Sequence, residues 1–298
     1  MYNSFMEIEK ELLSSGVKKT VALANAQDQE ALSALVYAKR RGIVTGKLIG
    51  DKAAITELLQ ELGENPAEYD IIECNGEMEA ALLAVKMVHG GYADIPMKGI
   101  MQTANFMRAV LNKEFGFVAS GSLLSQATVL EWKEKNRLLI FGDCAINIAP
   151  NLEDKVKIIR NMVELAHCLG IARPKVAVIS AVEVLNDKIP STVDSAALAA
   201  MKWEDCVVAG PFALDNAVSE EAAKHKGITT PVAGKADILL MPDLCTGNVF
   251  TKSLTFFAHL ESAGVVCGPQ IPVIMTSRTD TPANKYHSIL TAVTQSLR

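Results

Sequence analysis

Leu138-Leu-Ile-Phe141-Gly142-Asp143-Cys-Ala-Ile-Asn147-Ile-Ala-Pro150-Asn151-Leu152 opens the segment that decides the fold. Leu138 to Phe141 form a continuous apolar run without alternation, the pattern of a strand buried on both faces. A tight turn at Gly142-Asp143 follows. From Leu152 apolar residues return at three- and four-residue spacing, with Val156, Ile159, Val163 and Ala166 on one face, which predicts a helix to about Leu169. Its ends are marked: Asn151 is the expected N-cap, Asp154 can reach back in a variant of the capping box, and Gly170 can take the left-handed conformation that stops it. A strand, a turn and a capped helix make one half of a βαβ unit.

The same reading extends outward. Short apolar runs, each closed by a small or polar residue, occur at Val21 to Ala24 before Asn25, Leu48-Ile49 before Gly50-Asp51, Ile71-Ile72 before Glu73, and Val176 to Ile179 before Ser180. They recur at Val207-Val208 before Gly210-Pro211, Ile238 to Met241 before Pro242-Asp243, and Ile271 to Met275 before Thr276. Helical patterns separate them, at about Glu30 to Arg41 before Gly42 and from near Asn248 to Gly264, after an amphipathic first helix within Met1 to Ser15. Strands alternating with helices predict an α/β fold with largely parallel sheets. At 298 residues, 49% of them hydrophobic, one core normally divides, so two α/β domains are expected.

Charge and composition exclude several functions. Lys and Arg number 29 against 34 Asp and Glu, a net charge of -5, and aromatics are 5%, so neither a basic surface nor base stacking points to nucleic acid. An anionic substrate must therefore be held by a local basic cluster. The cysteines at 74, 144, 168, 206, 245 and 267 have no close pair, which argues against a zinc knuckle or a disulfide framework and for reduced thiols in the cytoplasm. No apolar stretch approaches the roughly 20 residues that span a bilayer, and a mean hydropathy of +0.20 suits a buried sheet. The charged start, with Glu7, Glu9, Lys10 and Glu11, is no secretory signal.

In parallel open sheets ligands bind beyond the carboxyl ends of the strands. That places weight on Asp143, Asn147, Ser180, Asp215, Asn216, Asp243, Thr276, Ser277, Arg278 and Asp280, although polar residues leaving strands also serve as turn formers and caps. One informative segment is Met97-Lys98-Gly99, where a turn enters a helix near Thr103. Backbone N–H groups, the Thr103 hydroxyl, Lys98 and Arg108 could meet one anion there, or the two cations could be surface charges. A second is Gly142 to Asn147, where Asp143 orients a ligand or bonds its own turn, and where Cys144 has only small apolar neighbours to activate its thiol. The third is Thr276-Ser277-Arg278-Thr279-Asp280, which delivers hydroxyls, a guanidinium and a carboxylate at a strand end. Arg suits bidentate phosphate recognition; the alternative is a helix cap from Thr279 or Asp280 with Arg278 on the surface.

Met97-Lys-Gly99, Gly142-Asp-Cys-Ala-Ile-Asn147, Arg173-Pro-Lys-Val-Ala-Val178, Pro190-Ser-Thr-Val-Asp194, Gly210-Pro211 and Leu214-Asp-Asn-Ala217 resemble, in this order, the phosphate acetyltransferase and butyryltransferase family. Pro231-Val-Ala-Gly234, Ala236-Asp-Ile-Leu-Leu240, Gly247-Asn248 and Thr276-Ser-Arg278 continue the resemblance, which runs from about Lys18 through nearly the whole chain. Met97-Lys-Gly99 and Asn216 look more like the butyryl and branched-chain branch than the acetyl branch. The family implies two α/β domains in an architecture shared with isocitrate and isopropylmalate dehydrogenases. Residues 1–142 with about 280–298 would form the first and 143–279 the second, with the active site in the inter-domain cleft.

The resemblance also implies a reaction. Acyl-CoA and inorganic phosphate would give acyl phosphate and coenzyme A by direct transfer, with coenzyme A as substrate and no bound cofactor or metal. Ser277 and Arg278 match the family's catalytic pair, with Arg278 on phosphate and Ser277 on the sulfur or developing oxyanion. Lys98, Gly99, Thr103, Asp143, Asn147 and Thr276 would bind phosphate or coenzyme A. The acetyl branch has an aspartate seven positions after the serine; here that position is Asn284, and the nearby carboxylate is Asp280. Asp280 would then be the third catalytic residue, yet an ordinary Asp near ~3.9 and a thiol near ~8.5 differ by about 4.6 units, some 6 kcal/mol uphill for proton transfer. Burial of the carboxylate or Arg278 beside the thiol must close that gap, although Arg278 would lower Asp280 if the two paired. The family further implies a homo-oligomer, coupling to an acyl-phosphate kinase, and no membrane or nucleic-acid partner. Rival readings are an acetyltransferase, a metal- and NAD-dependent dehydrogenase, and a non-catalytic acyl-CoA-binding protein. The dehydrogenase lacks its motifs here, since no G-x-G-x-x-G and no tight group of metal carboxylates occurs.

Overall fold

The computed structural model describes residues 1–297. Its strands are β1 (Lys19–Ala24), β2 (Val44–Gly50), β3 (Asp70–Glu73), β4 (Ile95–Lys98), β5 (Ser125–Trp132), β6 (Arg137–Gly142), β7 (Lys175–Ile179), β8 (Val207–Phe212), β9 (Ile238–Leu240), β10 (Ser262–Cys267) and β11 (Val273–Ile274). The chain divides into two compact units. One holds Phe5–Ser122 and the chain from Ser262 onward; the other holds Leu123–Glu261 with Met1–Ser4. Both crossings come earlier than the expected 142/143 and about 280, and strand pairing gives the reason. β5 pairs antiparallel with β6, from Ala127 opposite Gly142 to Trp132 opposite Arg137, so the whole hairpin belongs with β9 on its far side. β10 pairs antiparallel with β11, and β11 runs parallel to β4, which ties both to the other unit.

In the unit containing Phe5–Ser122 the strand order is β3-β2-β1-β4-β11-β10. β2 and β4 flank β1 in parallel, and the buried Val21, Leu23, Ile95, Met97 and Ile274 form the middle of the sheet. The chain leaves β1 toward β2 and β3 on one side, then returns to place β4 on the other. That reversal is a topological switch point, where adjacent connections diverge and leave a crevice at the carboxyl ends. The residues following β1, β4 and β11 are therefore Asn25, Gly99 and the Met275-Thr276-Ser277 stretch. The helix Pro282–Gln295 packs on β10 and on the helix Gln29–Arg40.

The second unit has the order β5-β6-β9-β7-β8. Its helix Leu152–Cys168 carries the expected capping box, with the Asp154 N–H donating to Asn151 at 2.9 Å and the Asn151 N–H donating to Asp154 at 3.2 Å, and Gly170 has φ +81°.

Three strands escaped the apolar-run reading. β4 is broken by Pro96 and ends in a lysine, β5 mixes polar residues with Ala127, Val129, Leu130 and Trp132 and so has no continuous apolar run, and β10 is built from small residues. The helix expected from Asn248 to Gly264 spans Leu244–Phe256, because Asp243 caps it by accepting the Thr246 N–H at 2.8 Å; Gly264 lies in β10. No described helix is long and apolar enough to cross a membrane.

Candidate active site

The turn after β4 is shaped by contact with the end of β1. The Gly99 N–H donates to Ala24 O at 2.8 Å, and a Cβ on Gly99 would fall 2.2 Å from Asn25 O, so a larger residue would push the turn off the sheet. Asn25 has φ +52°, and its amide donates to Ile100 O at 3.1 Å. This close approach turns Lys98 inward. Only 2% of it is exposed, and its Nζ donates to Gly99 O and Met101 O, each at 3.3 Å.

A buried ion pair lies nearby. Lys285 Nζ stands 3.2 Å and 3.4 Å from the Asp28 carboxylate oxygens, and both residues are buried. Asp28 is also the N-cap of the helix Gln29–Arg40, accepting the Ala31 N–H at 3.0 Å. Burial pushes the Lys98 ammonium down to about 8, with the like charge of Lys285 next in weight; Asp28 opposes the shift, Arg278 adds to it and Asp280 opposes it.

That shift has a signed consequence for stability. The unfolded chain holds the Lys98 proton up to its ordinary 10.5 while the folded chain releases it at about 8, so the unfolded state binds more protons between those limits and stability rises with pH there. The difference in unfolding free energy between wild type and Lys98→Met should move in favour of wild type by up to ~3 kcal/mol from pH 7 to 10.5, measured by urea unfolding. A flat difference would mean that the buried amine stays protonated.

Beyond β11 the chain presents Thr276, Ser277, Arg278 and Asp280. Thr276 is buried, and its Oγ1 has no hydrogen-bond partner among the described residues, an open position of the kind that a ligand fills. The Ser277 N–H donates to the Asp280 carboxylate at 2.7 Å, so Asp280 holds the turn, and the Ser277 hydroxyl lies 3.1 Å from that of Thr279. Thr281, rather than Thr279 or Asp280, caps the following helix by accepting the Asn284 N–H. Asn284 itself is buried and accepts the Ser262 N–H at 3.1 Å, a tie between helix and β10. Arg278 is exposed and makes no ion pair with any described residue.

Lys98, Gly99, Thr276, Ser277, Arg278 and Asp280 thus gather at the carboxyl ends of two neighbouring strands. With Asp28 and Lys285 the group has three cations and two carboxylates, and Glu77 at its edge adds a third carboxylate. Thr103 begins the helix Thr103–Val110 and is exposed. Glu77 already sits on that helix start, accepting the Gln102 N–H at 3.0 Å and the Asn105 amide at 2.8 Å. Those bonds hold its carboxyl below the usual range, with Arg278 and Lys98 contributing less. Arg108 lies exposed beside Asn105 and Met78.

Asp143 and Asn147 belong to the other unit. There the buried Asp143 carboxylate accepts the N–H groups of Ala145 at 2.7 Å, Ile146 at 3.0 Å and Asn147 at 3.2 Å, while Asn147 also donates to Leu124 O. Burial pushes the Asp143 carboxyl up, and it pushes the neighbouring Cys144 thiol far up as well. Of the other strand-end residues, Ser180 bonds Ser191, and Asp215 pairs with Lys226. Among the described residues no group of three or more His, Cys, Asp and Glu side chains could hold a metal ion.

Asp28 and Lys285 were missed from sequence. Asp28 follows the first apolar run by four positions, and Lys285 occupies an ordinary turn of a terminal helix 257 residues away. An acidic residue just before the helix near Glu30 was the one usable signal.

The protein-family model described as Phosphate acetyl/butaryl transferase matches residues 75–293. The chain is 45% identical to the phosphate butyryltransferase of Clostridium acetobutylicum over 296 residues, 98% of each chain. It is 41% identical to the phosphate acetyltransferase of Thermotoga maritima over 281 residues, 93% of this chain and 95% of that one. The crystal structure of a branched-chain phosphotransacylase from Enterococcus faecalis matches with a TM-score of 0.82 and 33% identity, covering 93% of this chain and 99% of that one.

Proposed function

Because the chain belongs to the phosphate acetyl/butaryl transferase family, we propose that it moves a short-chain acyl group reversibly between coenzyme A and inorganic phosphate. The observation that carries this reading is the cluster at the switch point: a buried lysine, an unpartnered buried hydroxyl and an unpaired arginine at adjoining strand ends. Arg278 binds the phosphate with a planar fork of donors, which neutralises charge that builds as the phosphate oxygen meets the acyl carbon. Ser277 donates to the developing oxyanion or to the departing sulfur. Thr276 supplies a further donor to the phosphate, and Lys98 belongs to the same cluster. Transfer is direct. The thiol of Cys144 is buried and shifted away from ionisation, which removes the obvious site for an acyl-enzyme.

Coenzyme A enters as a substrate, and neither a metal nor a redox cofactor takes part. The enzyme works in the cytoplasm as a homo-oligomer and hands acyl phosphate to a kinase acting on it. Four- or five-carbon acyl groups are preferred, on the strength of Met97-Lys-Gly99 and Asn216 within Leu214-Asp-Asn-Ala217. Each added buried methylene contributes about 0.8 kcal/mol, so two of them should raise the specificity constant roughly tenfold or more over acetyl-CoA. The test is thiol release from acetyl-, butyryl- and isobutyryl-CoA with phosphate as acceptor. A higher specificity constant for acetyl-CoA would assign the chain to the acetyl branch.

A further inference from the structure

Acyl transfer from a thiol or to a thiol needs a group that exchanges a proton, and the residues that would ordinarily do so are engaged elsewhere. Asn284 carries no titratable proton, and it ties its helix to β10. The Asp280 carboxylate holds the Ser277 N–H. The two histidines of that unit pack on aromatic rings, His287 stacked on Phe5 and His89 tilted against Phe115. We propose that Lys98 is the proton-transfer residue of the reaction.

Its hydrogen bonding fits an amine that changes charge. An ammonium carries three N–H donors, yet the carbonyl oxygens of Gly99 and Met101 are its only hydrogen-bond acceptors among the described residues. A neutral amine has two N–H donors for those two oxygens and keeps its lone pair for another group. The charged groups around it are Lys285 and Asp28 from two helix starts, Arg278 and Asp280 beyond β11, and Glu77 at the rim. Burial above all, with the Lys285 ammonium next, brings Lys98 down to about 8, within about one unit of a free thiol at ~8.5, the match that proton transfer between them requires.

The step balances. With acyl-CoA and hydrogen phosphate as reactants, neutral Lys98 takes the phosphate proton while that oxygen forms its bond to the acyl carbon. The carbon–sulfur bond breaks, its electron pair leaves on sulfur, and the Lys98 ammonium returns the proton to give coenzyme A thiol. The reverse reaction takes the thiol proton to Lys98 and delivers it to the departing phosphate.

This rests on the proposed acyl transfer, so the wild type is assayed first with butyryl-CoA and phosphate, a direction in which no reactant is a free thiol. kcat is then followed from pH 6 to 10 for wild type, Lys98→Arg and Lys98→Met, with coenzyme A binding by calorimetry as the check on folding. Wild-type kcat should rise through about 8, where the lysine becomes neutral. Lys98→Arg, which keeps the charge and cannot lose it, should lower kcat about a hundredfold and abolish that limb. Methylamine should restore part of the rate of Lys98→Ala in proportion to free amine. A Lys98→Arg enzyme within about fivefold of wild type, with the limb unchanged, would overturn the proton role and leave acyl transfer standing. A wild type that releases no thiol would overturn both.

Discussion

Arg278→Ala is expected to lower the rate with phosphate, and with arsenate in its place, by about 10²–10³, while coenzyme A binding changes little. The reason is the setting of the guanidinium, which follows a buried strand, is exposed, and is paired with no described carboxylate. Its donors are therefore free for an anion. Removing a preorganised donor of this kind typically raises the barrier by about 2.7–4 kcal/mol. Lysine at the same position should recover only part of the loss, since a point charge lacks the bidentate geometry that suits phosphate. Steady-state kinetics with butyryl-CoA and varied phosphate, beside calorimetric titration of coenzyme A, make the comparison. A near-normal Arg278→Ala enzyme would remove the phosphate assignment.

Asp28→Ala should have the largest effect on stability. It leaves Lys285 buried without a counter-charge and takes away the cap that accepts the Ala31 N–H. Breaking a buried pair from one side typically costs about 3–5 kcal/mol, and losing a cap adds about 1 kcal/mol. Asp28→Asn keeps a capping oxygen and so isolates the charge. Combining it with Lys285→Met should recover most of the loss, because the unpaired ammonium disappears with its partner. Urea midpoints for the single and double variants decide the matter, and an Asp28→Asn protein as stable as wild type would show that Lys285 is charge-compensated elsewhere.

The two predictions differ in what sequence could foresee. Arg278 was legible, because Thr276-Ser-Arg278 follows an apolar run at which a parallel strand was expected and does end. The helix after Asn151 was legible for the same reason: its caps and its apolar stripe lie within one stretch of chain, and the structure reproduces the caps and buries Ile159, Val163 and Ala166, while Val156 is half-buried and Lys155 is inside. Asp280 was visible as a carboxylate beside the serine, yet its contact with the Ser277 N–H, which commits it to the turn, was not. The carboxylate beside the anion site expected at Thr103 was likewise hidden. Glu77 reaches that helix start from 25 residues away, and nothing local to Thr103 announces it.

The amino-acid sequence by itself determined that strands and helices alternate, that the sheets are largely parallel, and which family the chain belongs to. Those features depend on apolar period, caps and motifs read within a few residues of one another. Tertiary structure decided that β5 runs antiparallel to β6 and β10 to β11, that Lys98 is inside rather than on the surface, and that Asp28 and Lys285 form a buried pair across 257 residues. Burial and charge pairing belong to the whole packed molecule. A lysine in solution is protonated at neutral pH whatever its neighbours in sequence, and only exclusion of water, with a second ammonium close by, brings Lys98 down to about 8.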